Sequence, residues 1–339
     1  MGCAVFASAL KPDTAEAKAF WGLTGEFKAG ELEAMAASGA TSIATLLPWH
    51  ALQPDGPESY NWGGTDALVA EAARQDIEVI FILYGTPGHL TSQHQIAPVG
   101  SAAVEAGWRG FVRTAVKRYG PGGEFWQTHV GPVLPVRAWQ VWQEPGLRFF
   151  YQPKPSVKGY VELLRATSKA IRASDPGANV LMGGLNDPQG GPHISLRTFL
   201  KRFYKVGGAG IRKKFDALAL HPYGVDNKPI LRKLRLARDE MRRAGDGKKP
   251  IWVTELGWSS QKGENRLQVG EKQQKRRLGD ALRALKRNKR ELGIRRVLTF
   301  TWRDSQPTSP CWCETAGLLD FDGEPKPALR AFEKFAKAE

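Results

Sequence analysis

The chain has 339 residues, of which 42% are hydrophobic and 24% charged, as in an ordinary globular protein with a large core. No stretch approaches the roughly 18 consecutive apolar residues that a membrane helix needs, so no membrane span is predicted. The net charge of +15 is concentrated at 228–290, where 20 Lys and Arg stand against 7 Asp and Glu.

This basic segment has two interpretations. The excess charge could attract an anionic glycan or another polyanion, or its arginines could simply coat the solvent faces of two outer helices. No nucleic-acid-binding motif and no interleaved aromatic residues accompany the charge, so nucleic acid is not an expected partner.

After an opening of about 19 residues, short β-prone runs alternate with segments of helical period. The predicted strands lie at 20–24, 42–47, 77–84, 136–142, 179–184, 215–221, 250–254 and 297–302. The predicted helices lie at 30–38, 63–75, 102–118, 155–173, 194–206, 229–244, 266–291 and 325–337.

Strict alternation of strands and helices predicts an α/β fold with parallel strands, because a parallel pair needs a crossover connection. Eight such units favour a closed (β/α)8 TIM barrel with a single catalytic domain over 1–339. Within it, 20–339 would form the barrel and 1–19 an N-terminal extension or a cap on its bottom. A doubly wound open sheet is the alternative, but no Gly-x-Gly-x-x-Gly or Walker loop follows any predicted strand.

Two glutamates stand in tryptophan-rich, strand-like runs. Glu144 closes the run 136–145 and Glu255 interrupts the run 250–258. A carboxylate in an apolar segment is unfavourable to bury unless it is paired or used. In a barrel both would lie at the C-terminal ends of strands, after the fourth and the seventh, where barrel enzymes hold their active sites. Such a pair is suited to glycosidic bond cleavage; the alternative is two structural carboxylates in ion pairs.

Other polar and aromatic residues follow the predicted strands, and these residue types suit sugars, which have both apolar faces and hydroxyl groups. The candidate substrate-binding residues are Gln143, His221, Tyr223, Trp302, Trp49, Tyr84 and Asn186.

Several motifs together are quite specific, although each alone is weak. They lie at 119–123, 139–145, 221–223, 254–258 and 317–319, the last followed by Lys326-Pro327. With them the chain resembles the clan A glycoside hydrolases, which are retaining (β/α)8 enzymes, and is most similar to bacterial proteins like glycoside hydrolase family 39. The resemblance extends from about Phe20 to the C-terminus.

This resemblance implies a role for each principal residue. Glu144 would be the acid/base and Glu255 the nucleophile, Tyr223 would hydrogen-bond the nucleophile, and Trp302 would form the floor of the sugar subsite. His221 would belong to the surrounding polar network. The implied partner is a carbohydrate substrate, and the chemistry requires neither a metal nor an organic cofactor.

Two positions depart from the family pattern. Gln143 stands where asparagine usually precedes the acid/base, and Ala44 stands where an arginine usually lies beneath the nucleophile. Without that cation the carboxylate of Glu255 should be harder to ionise, unless a group such as Arg303 approaches it.

The main hypothesis is a retaining glycoside hydrolase acting on a poly- or oligosaccharide by double displacement. The alternative is a catalytically impaired, carbohydrate-binding pseudoenzyme.

The cysteines bear on location. Cys3, Cys311 and Cys313 fit no zinc-binding spacing. A disulfide between Cys3 and one of the later two would indicate an oxidising compartment. Residues 311–313 are predicted to form either a structural disulfide or a plain loop. A secreted or cell-surface location is favoured over a cytoplasmic one, and the oligomeric state stays open.

Overall fold

In the computed structural model, residues 20–338 are described except 29, 58, 189, 307, 309 and 310. The predicted N-terminal extension or cap at 1–19 lies outside the described residues. Within them the chain forms the predicted TIM barrel as a single domain. No described helix combines the length and the apolar character that crossing a membrane requires.

The described strands pair in chain order, all of them parallel, and the first pairs with the last to close the barrel. They are β1 (Trp21–Thr24), β2 (Ser42–Pro48), β3 (Glu78–Tyr84), β4 (Ala138–Val141), β5 (Asn179–Leu185), β6 (Ala217–Leu220), β7 (Ile251–Val253) and β8 (Ile294–Phe300). At the closing seam Gly22 lies opposite Leu298. Each predicted strand is therefore confirmed, although several strands begin or end a few residues away from the predicted positions.

The described helices surround this barrel. They are α1 (Leu32–Ala37), α2 (Trp49–Leu52), α3 (Gly63–Arg74), α4 (Ala102–Tyr119), α5 (Glu124–Thr128), α6 (Val157–Ser174), α7 (Leu196–Ile211), α8 (Asn227–Arg243), α9 (Glu271–Leu292) and α10 (Pro327–Ala336). The short helices α2 and α5 are not among the predicted ones. The predicted exposure of the arginines in the basic segment is confirmed on α8 and α9, where Arg235 and Arg287 face solvent.

The barrel interior is a small apolar cluster, as close packing inside an eight-stranded barrel requires. Its buried members are Ala44, Ile80, Ile82, Ala138, Leu181, Ala217, Ala219, Trp252 and Leu298. Four alanines leave room for the one large ring, Trp252. The larger apolar cluster lies between the strands and the helices.

Two boundaries differ from the prediction for identifiable reasons. Strand β8 begins at Ile294 rather than at 297. The apolar pattern does not reveal its first residues because they include arginines. In the structure the Arg296 guanidinium lies 4.6 Å from the centre of the Trp252 ring and bonds Glu78 at 2.5 Å. Helix α9 begins at Glu271 rather than 266. The residues before it pair with the loop after β7, where the Ser259 amide donates to the Leu267 carbonyl at 2.8 Å.

Candidate active site

The candidate site lies at the C-terminal ends of the strands, as predicted. Glu144 comes three residues after the end of β4 and Glu255 two residues after the end of β7. The backbone of Glu144 is left-handed, with φ of 38°. Such a conformation is uncommon for a residue other than glycine and is typical of functional sites, where the surroundings hold it in place.

The two carboxylates are buried side by side, with 5% of Glu144 and 8% of Glu255 exposed. One oxygen of each lies within 4.8 Å of the other, and the Nδ1 atom of His221 lies within that distance of both. His221 Nδ1 is 2.8 Å from Glu144 Oε1 and 3.3 Å from Glu255 Oε2. The structure thus brings together the three residues on which the sequence prediction depends most.

Glu255 receives hydrogen bonds on both oxygens. Gln143 Nε2 donates to Oε1 at 2.7 Å and the Tyr223 hydroxyl donates to Oε2 at 2.8 Å. Burial nevertheless raises the pKa of Glu255; His221 opposes this shift and the negative charge of Glu144 adds to it. The two donors also favour the ionised form. The expected difficulty of ionising this carboxylate is therefore present, and polar neighbours partly relieve it.

Glu144 is held by two donors that share one oxygen. Asn186 Nδ2 donates to Oε1 at 3.1 Å, and His221 Nδ1 approaches the same atom at 2.8 Å. Asn186 follows β5 and is itself fixed, since its Oδ1 accepts from the Asp187 amide at 2.6 Å. Because Oε1 is occupied, Oε2 is the oxygen of Glu144 that remains for a substrate.

His221 connects the two carboxylates to the barrel wall. Its ring is fully buried, and its Nε2 lies 3.1 Å from the Thr254 hydroxyl. Burial opposes its protonated form, but Glu255 and Glu144 outweigh burial and raise the pKa of His221. Since Nδ1 faces two acceptors, that nitrogen must carry a proton. A histidine cation here would supply positive charge beside Glu255.

Ala44 leaves Glu255 without the arginine that the family resemblance leads one to expect. Ala44 is fully buried in the barrel interior and donates nothing. Arg303, which was suggested as a replacement for the missing arginine, has its guanidinium bonded to Glu31 at 2.7 Å. Two amides are directed at the carboxylate of Glu255 instead: Gln140 donates to the Gln143 side chain at 3.2 Å, and Gln143 donates to Glu255.

The prediction that Trp302 forms a sugar-binding floor is wrong. Only 2% of Trp302 is exposed, so neither face of its ring can stack on a sugar. The half-buried aromatic residue at this strand end is Phe300, whose ring centre lies 6.0 Å from that of Trp312. Trp312 in turn contacts Tyr223, with ring centres 5.0 Å apart. Phe300, Trp312 and Tyr223 therefore form one aromatic group, which the Tyr223 hydroxyl joins to Glu255.

The predictions for Trp49 and Tyr84 are wrong for the same reason. Trp49 is fully buried, lies flat against Phe111 with ring centres 5.7 Å apart, and donates to Gln53 at 2.7 Å. Tyr84 is 4% exposed and packs on Trp142 at 4.7 Å between ring centres. Both rings belong to the apolar layer between strands and helices, where aromatic burial alone accounts for them.

One buried residue near the site is absent from the sequence-based candidates. Lys233, on α8, donates to the backbone carbonyl of Tyr223 at 2.6 Å. Burial lowers the pKa of its ammonium group, and Asp187 and Glu144 partly offset this. In the sequence it is one more charge on a basic helix, so no local pattern distinguishes it.

The loop after β8 carries Trp312 between bonded cysteines. Cys311 and Cys313 form a disulfide with each other, so the pairing of either with Cys3 is wrong; Cys3 itself lies outside the described residues. The sequence predicts no site residue in this loop, because the contact of Trp312 with Tyr223 depends on how the loop folds over the barrel end.

The Glu144, His221 and Glu255 atoms also have a spacing that could hold a metal ion. In the structure His221 Nδ1 is already hydrogen-bonded to Glu144. This geometry favours a network that shares protons, since the facing atoms of a metal site are all acceptors.

Comparison with known proteins points to one family and one fold. A family model described as glycosyl hydrolase catalytic core matches residues 147–332. No protein of curated function matches the chain in sequence.

Three similar solved structures illustrate the fold. A family 39 glycoside hydrolase from Bacteroides cellulosilyticus WH2 has a TM-score of 0.70 at 18% identity, over 97% of this chain and 66% of that one. A glucosidase from Croceicoccus marinus has a TM-score of 0.71 at 15% identity, over 94% and 67%. A family 39 β-xylosidase from Caulobacter crescentus has a TM-score of 0.64 at 20% identity, over 93% and 70%. The chain thus spans about two thirds of the length of these proteins.

Proposed function

Because the chain belongs to the glycosyl hydrolase catalytic core family, we propose that it cleaves glycosidic bonds with retention of configuration, using Glu144 and Glu255. The observation that carries the mechanism is the short separation of the two carboxylates, whose nearest oxygens lie within 4.8 Å. Retaining enzymes hold their carboxyl groups about 5–5.5 Å apart, whereas inverting enzymes need about 6.5–9.5 Å to admit a water molecule.

In the first step, the carboxylate of Glu255 attacks the anomeric carbon while Glu144 transfers a proton to the departing glycosidic oxygen. Glu144 Oε2 carries that proton, since Oε1 already accepts from Asn186 and His221. Tyr223 and Gln143 hold the attacking carboxylate in a fixed orientation. The products are an ester between the sugar and Glu255, and a free alcohol.

In the second step, a water molecule gives a proton to Glu144 and attacks the anomeric carbon. The ester bond breaks, and Glu255 leaves as a carboxylate. His221 stabilises the ionised forms by sharing Nδ1–H with both carboxylates. Its raised pKa supports this role, because a protonated imidazole balances the one negative charge, which lies on Glu255 before the first step and on Glu144 after it.

The pseudoenzyme alternative depends on Gln143 and Ala44. Gln143 keeps a hydrogen bond to Glu255, and His221 offers charge in place of the missing arginine. These contacts favour the enzyme. A carbohydrate substrate follows from the family; for the location, we propose the exterior of the cell, which the Cys311–Cys313 bond supports.

Labelling with activated 2-deoxy-2-fluoro glycosides tests the mechanism. We expect the protein to gain the mass of one glycosyl group, and peptide mapping to place it on Glu255. Glu255→Gln should take up no label and should lose turnover while still binding glycan. If no sugar in a broad panel, furanosides included, labels or is turned over, the chain binds carbohydrate without cleaving it.

The role of Glu144 is tested separately. Glu144→Gln should slow hydrolysis of substrates with poor leaving groups by about 10²–10⁴-fold, since these depend on general acid catalysis. Aryl glycosides with good leaving groups should still glycosylate Glu255, and added azide should restore their turnover by taking the place of water. Equal losses for both kinds of substrate would contradict an acid role for Glu144.

A further inference from the structure

The outer wall of the barrel carries a groove between α9 and α10, with a volume of about 500 Å³. Its floor is made of small residues: a β-carbon added at Gly279 would lie 3.8 Å from the β-carbon of Ala331, in ordinary van der Waals contact. Its walls carry six basic side chains and one acidic side chain, Asp280. The basic residues are Lys272, Lys275, Arg276, Arg283, Arg330 and Lys334.

Five of these cations lack an ion-pair partner within the described part of the chain. Asp280, the acidic residue of the groove, is bonded by Arg283 at 2.8 Å. On α10 the nearby Glu333 is bonded by Lys337, which does not line the groove. An array of like charges around a concave surface raises the local potential and concentrates anions. The groove therefore differs from a solvated helix face on which charges of both signs alternate.

The groove begins at the catalytic end of the barrel. Helices α9 and α10 follow the loops after β7 and β8, and Gln274 in the first turn of α9 donates to the carbonyls of Trp258 and Gly317, at 2.9 and 3.0 Å. Those loops flank Glu255 and Trp312. A polymer whose one end enters the active site can therefore continue over the rim towards α9 and α10.

We propose that this groove is a second carbohydrate-binding site, for a polysaccharide bearing sulfate or carboxylate groups. Its basic side chains would bind the anionic groups of a chain segment on the outside of the barrel, separately from the catalytic cleft. Exposed lysine and arginine suit this ligand, because arginine pairs with two oxygens of a sulfate or carboxylate and lysine acts as a point charge.

The chemistry of the groove argues against two other polyanions. Single-stranded nucleic acid is usually bound by stacking its bases on exposed aromatic rings, but the aromatic ring of the groove, Phe335, packs towards Trp21 with ring centres 5.9 Å apart. Membrane surfaces are bound through exposed apolar side chains beside the basic ones. The large exposed apolar residues of the described chain, Val130, Val133, Phe149, Val206 and Phe321, lie outside the groove.

Titration calorimetry with a size-defined heparin oligosaccharide tests the proposal on the full chain. The groove variant combines Lys275→Ala, Arg276→Ala, Arg330→Ala and Lys334→Ala. The control variant removes the same charge from other exposed positions, through Lys169→Ala, Lys201→Ala, Lys205→Ala and Lys213→Ala. Thermal unfolding should confirm that both variants fold.

We expect the groove variant to bind the oligosaccharide about tenfold more weakly or worse, since each exposed contact contributes modestly, while the control variant binds like the wild type. The wild-type affinity should fall as salt is added. Equal losses in both variants would overturn the proposal, because net charge alone would then explain binding. So would absent binding by the wild type, or equally tight binding of a single-stranded oligonucleotide of matched charge. None of these outcomes depends on turnover, so the proposed hydrolase activity stands or falls separately.

Discussion

Gln143 occupies the position at which the family resemblance leads one to expect asparagine, and its longer side chain still reaches the second carboxylate. Its Nε2 lies 2.7 Å from Glu255 Oε1, and its own oxygen accepts from Gln140. The extra methylene moves the amide without removing its function as a donor. A hydrogen bond to a charged acceptor in a buried site is worth more than one between neutral groups.

Removing this amide should therefore weaken catalysis. We expect Gln143→Ala to lower kcat/KM by roughly tenfold to a hundredfold, equivalent to the about 1.5–3 kcal/mol of a hydrogen bond to a charged group. Steady-state kinetics on an aryl glycoside would measure it. Gln127→Ala, which removes an exposed glutamine outside the site, is the control and should change nothing. Unchanged kcat/KM in Gln143→Ala would contradict the contact with Glu255.

His221 should make stability depend on pH. Its pKa is raised in the folded protein, so the protonated ring stabilises the fold fully below the ordinary histidine pKa of about 6.5, and this stabilisation is lost as the pH rises through the raised value. The free energy of unfolding of the wild type should fall over that interval, and His221→Gln should flatten the fall. Urea denaturation at several pH values measures this. His89→Gln, at an exposed histidine, should leave the slope unchanged; an equal slope in His221→Gln would contradict the assignment.

At the scale of the elements, side-chain caps fix where helices start. Ser156 precedes α6, and its hydroxyl accepts from the Gly159 amide at 3.1 Å, satisfying one of the free amides at a helix start. Ser101 precedes α4 in a similar extended conformation, but its side chain makes no capping bond. The two helices pack against each other, so the pair provides a comparison within one layer.

Replacing the capping serine should destabilise the protein measurably. Ser156→Ala should lower the free energy of unfolding by about 1 kcal/mol, within the range of about 0.5–2 kcal/mol found for such caps. Ser101→Ala should lower it far less. Chemical denaturation of both variants would show the difference; equal effects would mean that the hydroxyl of Ser156 does not cap α6.

The order of elements and the two glutamates can be predicted from the sequence because both depend on local patterns. Apolar runs mark the strands, and a carboxylate inside such a run stands out wherever the chain places it. The direction of an aromatic ring at a strand end depends instead on tertiary packing. Trp49 and Trp302 turn into the apolar layer, whereas Phe300 and Trp312, which carry no distinguishing pattern, contact each other beside Tyr223. Lys233 cannot be predicted from the sequence for the same reason, because its burial depends on the loop whose Tyr223 carbonyl it contacts.

At the scale of the whole molecule, a buried ion pair fastens the end of the barrel. Lys326, just before α10, bonds both oxygens of Asp304 at 2.7 and 2.8 Å and also reaches Ser260 in the loop after β7. Burial raises the pKa of Asp304 and lowers that of Lys326, and each partner offsets the shift of the other. Asp304 is therefore a structural residue, although it follows β8 at the catalytic end.

Breaking this pair should be costly, because one charge would remain buried alone. Lys326→Met should lower the free energy of unfolding by about 3–5 kcal/mol. The exposed pair of Lys337 and Glu333 gives the control: Lys337→Met should cost less than about 1 kcal/mol. Thermal and chemical denaturation would compare them, and similar losses in the two variants would contradict a structural role for the buried pair.

The closing seam between β1 and β8 also constrains how the protein is made. During synthesis the first seven strands leave the ribosome in order and can pair one after another, but the free edges of β1 and β7 have no partner until β8 emerges. Unpaired strand edges are templates for association with other chains. The nascent chain is thus most vulnerable to aggregation late in translation, and chaperone contact in that interval would protect two edges at once.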